Sequence, residues 1–153
     1  PALTGLGAPH WKPNVRGGIL GLTRNTSISD IVKATLDSVG YQTNNLVKCI
    51  QKDTNITIKE MRVDGGMVEN ENFIQSLANI LQIKIIKPDD KETTALGAAY
   101  LAALSAGVIQ NTKSITKLWK PKKIFIPKIK KNEIQGKIKK WEEAIDFLIR
   151  YHS

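Results

Sequence analysis

The residues best suited to chemistry in this sequence form a glycine-rich bend, Asp64-Gly65-Gly66, followed closely by Asn70. Residues 59–64 predict a strand, and apolar residues spaced three or four apart predict a helix that begins near Asn70. Glycines allow positive φ and leave amide N–H groups open, while a helix N-terminus carries partial positive charge. The bend therefore suits an anion such as phosphate, although a tight strand-to-helix turn needs glycine as well. On the diglycine alone, that plainer interpretation is favoured.

Other phosphate-binding and catalytic patterns are missing from the sequence. It contains no G-x-x-x-x-G-K-[ST] motif, and its G-x-G, Gly5-Leu6-Gly7, runs into Ala8-Pro9 instead of opening a helix. His10 lies in a proline-rich loop, His152 lies at the chain end, and no acidic pair stands at metal-ligand spacing with His or Cys. We therefore predict no catalytic residue and no metal ligand in this chain.

The elements that must position the bend alternate between strand and helix, which is typical of α/β proteins. Residues 17–23, 59–64 and 83–88 are predicted strands. A long helix is predicted from Ser27, whose hydroxyl can cap the amide of Asp30. Its apolar residues recur at helical spacing and predict one buried stripe: Val32, Leu36, Val39, Leu46 and Ile50. Gly40 costs about 1 kcal/mol relative to Ala in a helix, which predicts that another backbone packs closely there.

The second half of the chain predicts two more helices. An Ala- and Leu-rich stretch stops at Gly107, a typical C-terminal glycine, and Asp90 or Thr93 is expected to cap its start. The spacing of Ile134, Ile138, Trp141, Ile145 and Leu148 predicts a last amphipathic helix after an extended, lysine-rich stretch.

The charge is concentrated in one segment. The 153 residues carry a net charge of +9, but the segment 113–140 alone has 11 lysines against one acid, Glu133, which is +10. This segment contains no arginine, and Trp119 and Phe125 do not form a row on which bases could stack. A solvated lysine face is favoured, and nucleic-acid binding stays as the alternative.

Cysteine usage and hydropathy bear on location. The single Cys49 suits a reducing compartment, and its place on the apolar side of a helix predicts a buried, inert thiol. No apolar run reaches the roughly 18–20 residues of a membrane span, and no signal segment opens the chain. We expect a cytoplasmic protein without a membrane partner, and we expect the chain to be a fragment because it opens on Pro1 in the middle of a motif.

Four ordered motifs resemble the FGGY family of carbohydrate kinases, whose members act on glycerol, xylulose and gluconate. They are PALTGLGAPHWKPNVRGGILGLTR, GILGLTRNTSISDIVKATLD, RVDGGMVEN and ETTALGAAYLAALSAG. Together they cover nearly the whole chain, from Pro1 to about Ala144, in the family's order. The resemblance implies an α/β, actin-like (ribonuclease H-like) C-terminal domain, with a mixed sheet and flanking helices.

The resemblance also implies a reaction and a site. The reaction would transfer the γ-phosphoryl group of ATP, with Mg²⁺ on the phosphates, to glycerol. The family's nucleotide contacts map onto Gly66 and Asn70, and Gly65 and Met67 are expected to line the same ATP/ADP pocket. The catalytic Asp and the glycerol ligands would lie upstream of Pro1, so that residues 1–153 form an incomplete nucleotide-binding domain, inactive alone. The full-length protein would be a homo-oligomer with no nucleic-acid partner.

Some residues depart from the glycerol pattern. His10 replaces a Tyr and is more like xylulose kinases, Lys12 stands where Asp is usual, and Met67 replaces a small residue near the adenine side. TGLGAP still favours glycerol. A xylulose-type kinase and a non-catalytic actin-like nucleotide-binding module stay open as alternatives.

Overall fold

The computed structural model describes residues 2–89 and 92–153. In chain order its elements are α1 (Ile28–Thr54), β1 (Glu60–Arg62), a 3-10 helix (Gly66–Glu69), α2 (Glu71–Leu81), β2 (Lys84–Pro88), α3 (Thr93–Ser105), α4 (Thr112–Leu118), β3 (Pro121–Phe125) and α5 (Lys131–Tyr151). The α/β class and the flanking helices are confirmed, as is the mixed sheet.

The sheet has the order β1-β2-β3. β1 and β2 are parallel, with Met61 opposite Ile85, and β2 and β3 are antiparallel, with Lys87 opposite Lys123. Parallel neighbours need a crossover, and the 3-10 helix with α2 provides it. The bend after β1 therefore lies where one parallel strand hands the chain to its crossover helix.

The main core lies between the sheet, α1 and α2. Ile74 and Ile85 are fully buried at its centre, and Val68 of the 3-10 helix reaches the same cluster. The other buried members are Val47, Phe73, Leu77, Ala78, Leu81 and Phe125. A second, smaller cluster joins the N-terminal loop to α5 through Ala2, Leu6, Val15 and Ile145.

Helix α1 begins as the sequence predicts. The Ser27 hydroxyl accepts the Asp30 amide at 3.2 Å, and the Asp30 carboxylate accepts the Ser27 amide at 2.9 Å, which completes a capping box. The Ser27 hydroxyl, which donates to the Asp30 carboxylate at 2.7 Å, and then the Ser27 amide hold the pKa of Asp30 below its ordinary value. Gly40 is closely packed as expected, but against a side chain: a Cβ there would lie 2.7 Å from Cδ1 of Ile80 on α2.

The strand predicted over residues 17–23 is wrong for this chain, because no described strand lies beside it to accept its hydrogen bonds. Ile19 is 61% exposed, and Leu20 and Leu22 are at least half exposed. We call residues 17–23 the uncovered segment. The single buried stripe of α1 is also only partly confirmed: Leu36 and Val39 pack on the core, whereas Val32, Leu46 and Ile50 are exposed.

Helix α3 ends as predicted, with Gly107 at φ +72°, but its start differs from the prediction. Thr93 makes no cap, since its hydroxyl hydrogen-bonds to the Asp64 carboxylate, and Asp90 lies outside the described residues. No described residue of α3 is buried. Cys49 on α1 is half-buried rather than buried.

The lysine-rich segment contains the short helix α4, which the sequence reading missed, and β3, which forms an edge of the sheet. Lysines on an edge strand oppose pairing with another chain. Arg62 of β1 stacks over Trp119, with its guanidinium carbon 3.9 Å from the ring centroid. Among the described residues, no helix combines the length and apolar character needed to cross a bilayer.

Candidate functional site

The bend begins where β1 leaves the sheet. The Val63 amide donates to the Ile86 carbonyl at 3.1 Å, so the parallel ladder continues to the residue before Asp64. The Asp64 carboxylate then accepts the Thr93 hydroxyl at the start of α3. The bend is therefore tied on one side to β2 and on the other to α3.

Gly65 has the backbone conformation that makes the turn possible. Its φ of +87° and ψ of 179° fall in a region that is essentially restricted to glycine. Its carbonyl accepts the Val68 amide at 3.2 Å and so starts the 3-10 helix. Glycine is required here by the backbone, whatever the bend binds.

Gly66 is a glycine for another reason, because its φ is not positive. A Cβ built on Gly65 or Gly66 meets no atom within 4 Å, so the space beside both residues is open. Within the described part of the chain, the amides of Gly65, Gly66 and Met67 donate to no acceptor. Consecutive free amides can serve as donors to an anion, so the bend keeps donors and room for a ligand, and the binding interpretation stays a prediction.

Asn70 caps α2. Its side-chain oxygen accepts the Phe73 amide at 3.1 Å, and its own amide donates to the Met67 carbonyl at 3.2 Å. The predicted acceptor role of Asn70 is therefore taken up by the helix, and its exposed side-chain NH₂ is the group left for a ligand. Gly65, Gly66, Met67 and Asn70, the four predicted site residues, lie together on one exposed turn.

Val68 anchors the turn to the main core. Its side chain is 4% exposed and packs in the main core, whereas its neighbour Met67 is 46% exposed. The alternation places an apolar anchor inside and leaves the Met67 side chain exposed. The contact of Met67 with a nucleotide stays a prediction.

Two ion pairs flank Asn70, and sequence reasoning missed both. Lys87 of β2 approaches Glu69 at 3.3 Å, and Lys123 of β3 hydrogen-bonds Glu71 at 2.6 Å. The hydrogen bond from Lys123 is the main cause that holds the pKa of Glu71 below its ordinary value; desolvation opposes it, and the charges of Lys123 and Lys87 add to it. The available signal was a pair of acids on either side of a helix cap.

Two cavities lie away from the bend. One, of about 310 Å³, is lined by the loop 3–8, His10 and Trp141. The His10 Nε2 and the Trp141 Nε1 are buried without a partner among the described residues. A larger groove, of about 1180 Å³, lies between the uncovered segment, α1 and α5, and includes Tyr41, which stacks on Trp141. His10 is therefore not brought to the bend, and the described residues hold no group of three metal-ligating side chains.

Comparison with known proteins decides the family. Residues 1–106 match the C-terminal domain of the FGGY family of carbohydrate kinases. This chain belongs to that family. The four FGGY-like motifs of the sequence lie largely inside the matched region, and the bend is in the third of them.

Relatives with known names agree on the subgroup. The chain is 47% identical over 146 residues to a glycerol kinase of Marinomonas sp. and 44% identical over 145 residues to that of Pediococcus pentosaceus. Each alignment covers 95% of this chain and 29% of the relative. The chain therefore spans about 30% of the length of these FGGY relatives.

A solved structure supports the same fold. The Plasmodium falciparum glycerol kinase with ADP superposes with a TM-score of 0.86 at 34% identity, over 97% of this chain and 30% of that one. The chain thus has the actin-like fold of FGGY kinases, as the sequence predicts.

Proposed function

We propose that this chain is the nucleotide-binding C-terminal part of a kinase that transfers the γ-phosphoryl group of ATP to glycerol. The observation that carries the proposal is the bend, where the amides of Gly65, Gly66 and Met67 donate to no acceptor among the described residues and the space beside the two glycines is open. The similar P. falciparum enzyme was solved with ADP, which makes an adenine nucleotide the ligand class to test.

The chain's own residues bind and orient rather than react. Free amides at the bend donate to a phosphate or ribose oxygen, Gly66 lets that oxygen approach the backbone, and the Asn70 side-chain NH₂ adds a donor. The exposed side chain of Met67 is proposed to line the same pocket. Positioning of this kind contributes much of the rate in phosphoryl transfer, since little covalent chemistry falls to the protein.

Magnesium enters the proposal on the nucleotide phosphates, where it would neutralise charge. The free amides suit the oxygens of a phosphate, but no described cluster of three His, Cys, Asp or Glu offers this chain's own ligands to a cation. We therefore assign no residue here to the metal.

The catalytic carboxylate and the glycerol ligands are proposed to lie in a further part of the enzyme. The exposed apolar surface supports this, because Ile19 and Leu22 of the uncovered segment and Leu101 of α3 are each more than half exposed. Such surface is normally covered by another part of a protein. In this proposal the complete enzyme is a cytoplasmic homo-oligomer.

The decisive experiment compares this chain with the longest reading frame that contains it. We expect ATP-dependent glycerol phosphorylation by the long form and background rates for residues 1–153 alone, measured in a coupled assay that detects ADP. Glycerol phosphorylation by residues 1–153 alone would contradict the proposal that the catalytic carboxylate and the glycerol ligands lie in another part of the enzyme.

The choice of substrate is tested on the same long form. A panel of glycerol, xylulose and gluconate should give the highest kcat/KM for glycerol, following the 41–47% identity to glycerol kinases. A higher value for xylulose would replace the substrate assignment while leaving the nucleotide site intact.

A further inference from the structure

We propose that Lys87 is a positioning residue that holds the Gly65–Asn70 bend in its nucleotide-binding conformation. The inference rests on the proposed function, which it deepens by adding a residue that does not touch the nucleotide. Its basis is a charge cluster of Lys87, Lys123, Glu69 and Glu71, which we call the clamp.

Lys87 is buried to an unusual degree for a lysine, at 7% exposure, on a strand whose neighbouring residues Ile85 and Ile86 belong to the interior. Burying an ammonium is unfavourable unless a counter-charge lies near it. Glu69, the last residue of the 3-10 helix, supplies that charge at 3.3 Å. The buried charge therefore specifies where the end of the 3-10 helix must lie.

The register of the sheet explains why two acids are needed. Lys87 and Lys123 are opposite each other in the β2–β3 pair, and like charges in that arrangement repel. Glu69 pairs with Lys87 at 3.3 Å, and Glu71 pairs with Lys123 at 2.6 Å. Because these two acids are the immediate neighbours of Asn70 in sequence, the clamp grips the chain on both sides of the α2 cap.

The two halves of the clamp differ in exposure. In the inner pair the Lys87 side chain is 9% exposed and that of Glu69 is 47% exposed, whereas in the outer pair Lys123 and Glu71 are 50% and 53% exposed. Screening by water weakens the outer pair more than the inner one, because only the inner pair has a buried member. Lys87 is thus expected to dominate, and Lys123 offers a matched control on the facing position of the neighbouring strand.

The test uses the long form of the kinase with the variants Lys87→Met, Lys87→Arg and Lys123→Met. Lys87→Met keeps most of the apolar stem and removes the charge. We expect its KM for ATP to rise about tenfold or more, since small misplacements of binding groups have large effects, with the KM for glycerol unchanged. Lys87→Arg should recover most of the loss, and Lys123→Met should raise the KM for ATP by a smaller factor than Lys87→Met.

Hydrogen exchange gives a readout that does not depend on turnover. The Phe73 amide, which Asn70 accepts at 3.1 Å, should exchange faster in Lys87→Met, while core amides of α2 near Ile80 keep their protection. If Lys87→Met fails to fold, Glu69→Gln replaces it, with the same two expectations.

The outcomes separate the two levels of the argument. If the unmodified kinase binds no ADP in calorimetry, the proposed function falls and this inference falls with it. If it binds ADP, and Lys87→Met lowers Tm but leaves the KM for ATP and the Phe73 exchange rate unchanged, Lys87 is only structural and the inference alone is overturned.

Discussion

The Gly65–Asn70 bend and the uncovered segment 17–23 are both exposed and glycine-containing, but they are exposed for opposite reasons. The bend presents polar amides above a buried anchor, Val68, and is tied to β2 and α3. The uncovered segment presents Ile19, Leu20 and Leu22 without a neighbouring strand among the described residues. Exposed amides on a fixed turn are available to a polar ligand, whereas exposed aliphatic side chains are available to another apolar surface.

The largest expected effect is a difference in stability between two Ile→Ala variants, one in the core and one in the uncovered segment. Ile74→Ala removes a fully buried side chain and should destabilise the chain by about 2–5 kcal/mol, while Ile19→Ala, at 61% exposure, should change stability by less than about 0.5 kcal/mol. Chemical denaturation of residues 1–153 measures both.

The same pair sharpens the comparison in the long form of the kinase. If the uncovered segment is covered there, Ile19→Ala should become destabilising by about 1 kcal/mol or more. An unchanged value near zero would mean that the segment stays exposed, and the contrast between the two regions would then lose its explanation.

A smaller effect divides the two glycines of the bend. Gly65→Ala forces a side chain into φ +87° and should cost about 1–3 kcal/mol. Gly66→Ala places its Cβ in open space and should leave the free energy of unfolding within about 0.5 kcal/mol.

The affinity for ADP should depend on Gly66 even though the stability of the chain does not. Gly66→Ala fills the space into which a phosphate or ribose oxygen would come, so the Kd for ADP should rise in calorimetry on the long form although stability does not fall. Equal ADP affinity for Gly66→Ala and the unmodified kinase would remove the reason for placing the nucleotide at this turn.

The smallest effect concerns the outer half of the clamp and its response to pH. The folded-state pKa of Glu71 is depressed, chiefly by the hydrogen bond from Lys123. Its contribution to stability is therefore present above the unfolded pKa of a glutamate, about 4.3, and is lost as the pH falls through the lower, folded value. Tm should therefore fall between about pH 5 and pH 3, a range that brackets the unfolded pKa. In Glu71→Gln this fall in Tm should be smaller, because the titrating carboxylate is gone.

Salt provides the check on that last prediction. An exposed pair weakens as ionic strength rises, so the Tm difference between Glu71→Gln and the unmodified chain at pH 7 should shrink in about 1 M salt. A difference that persists unchanged would assign Glu71 a role other than pairing with Lys123.

Local features of the fold were predictable because short-range physics decides them. The Ser27–Asp30 capping box, the glycine at the end of α3 and the order of strands 59–64 and 83–88 with their helices follow from residues that lie close together in sequence. The strand-to-helix bend was predictable for the same reason, whereas its four candidate residues came from the resemblance to FGGY kinases and stay a prediction.

Thr93 shows where such reasoning stopped. Its position predicts a helix cap, yet its hydroxyl bonds Asp64, which lies 29 residues away in sequence. Lys87 shows the same limit, since its strand alone does not reveal that its charge is buried against Glu69.

The sequence by itself thus determined the family, the succession of elements and the glycine turn, because motif order, caps and periodicity are local properties. Only the tertiary structure decided that residues 17–23 have no strand beside them, that the side-chain oxygen of Asn70 is used by the helix, and that lysines of two strands grip the acids on either side of it. The reason is that burial and ion pairing depend on which distant residues meet in space.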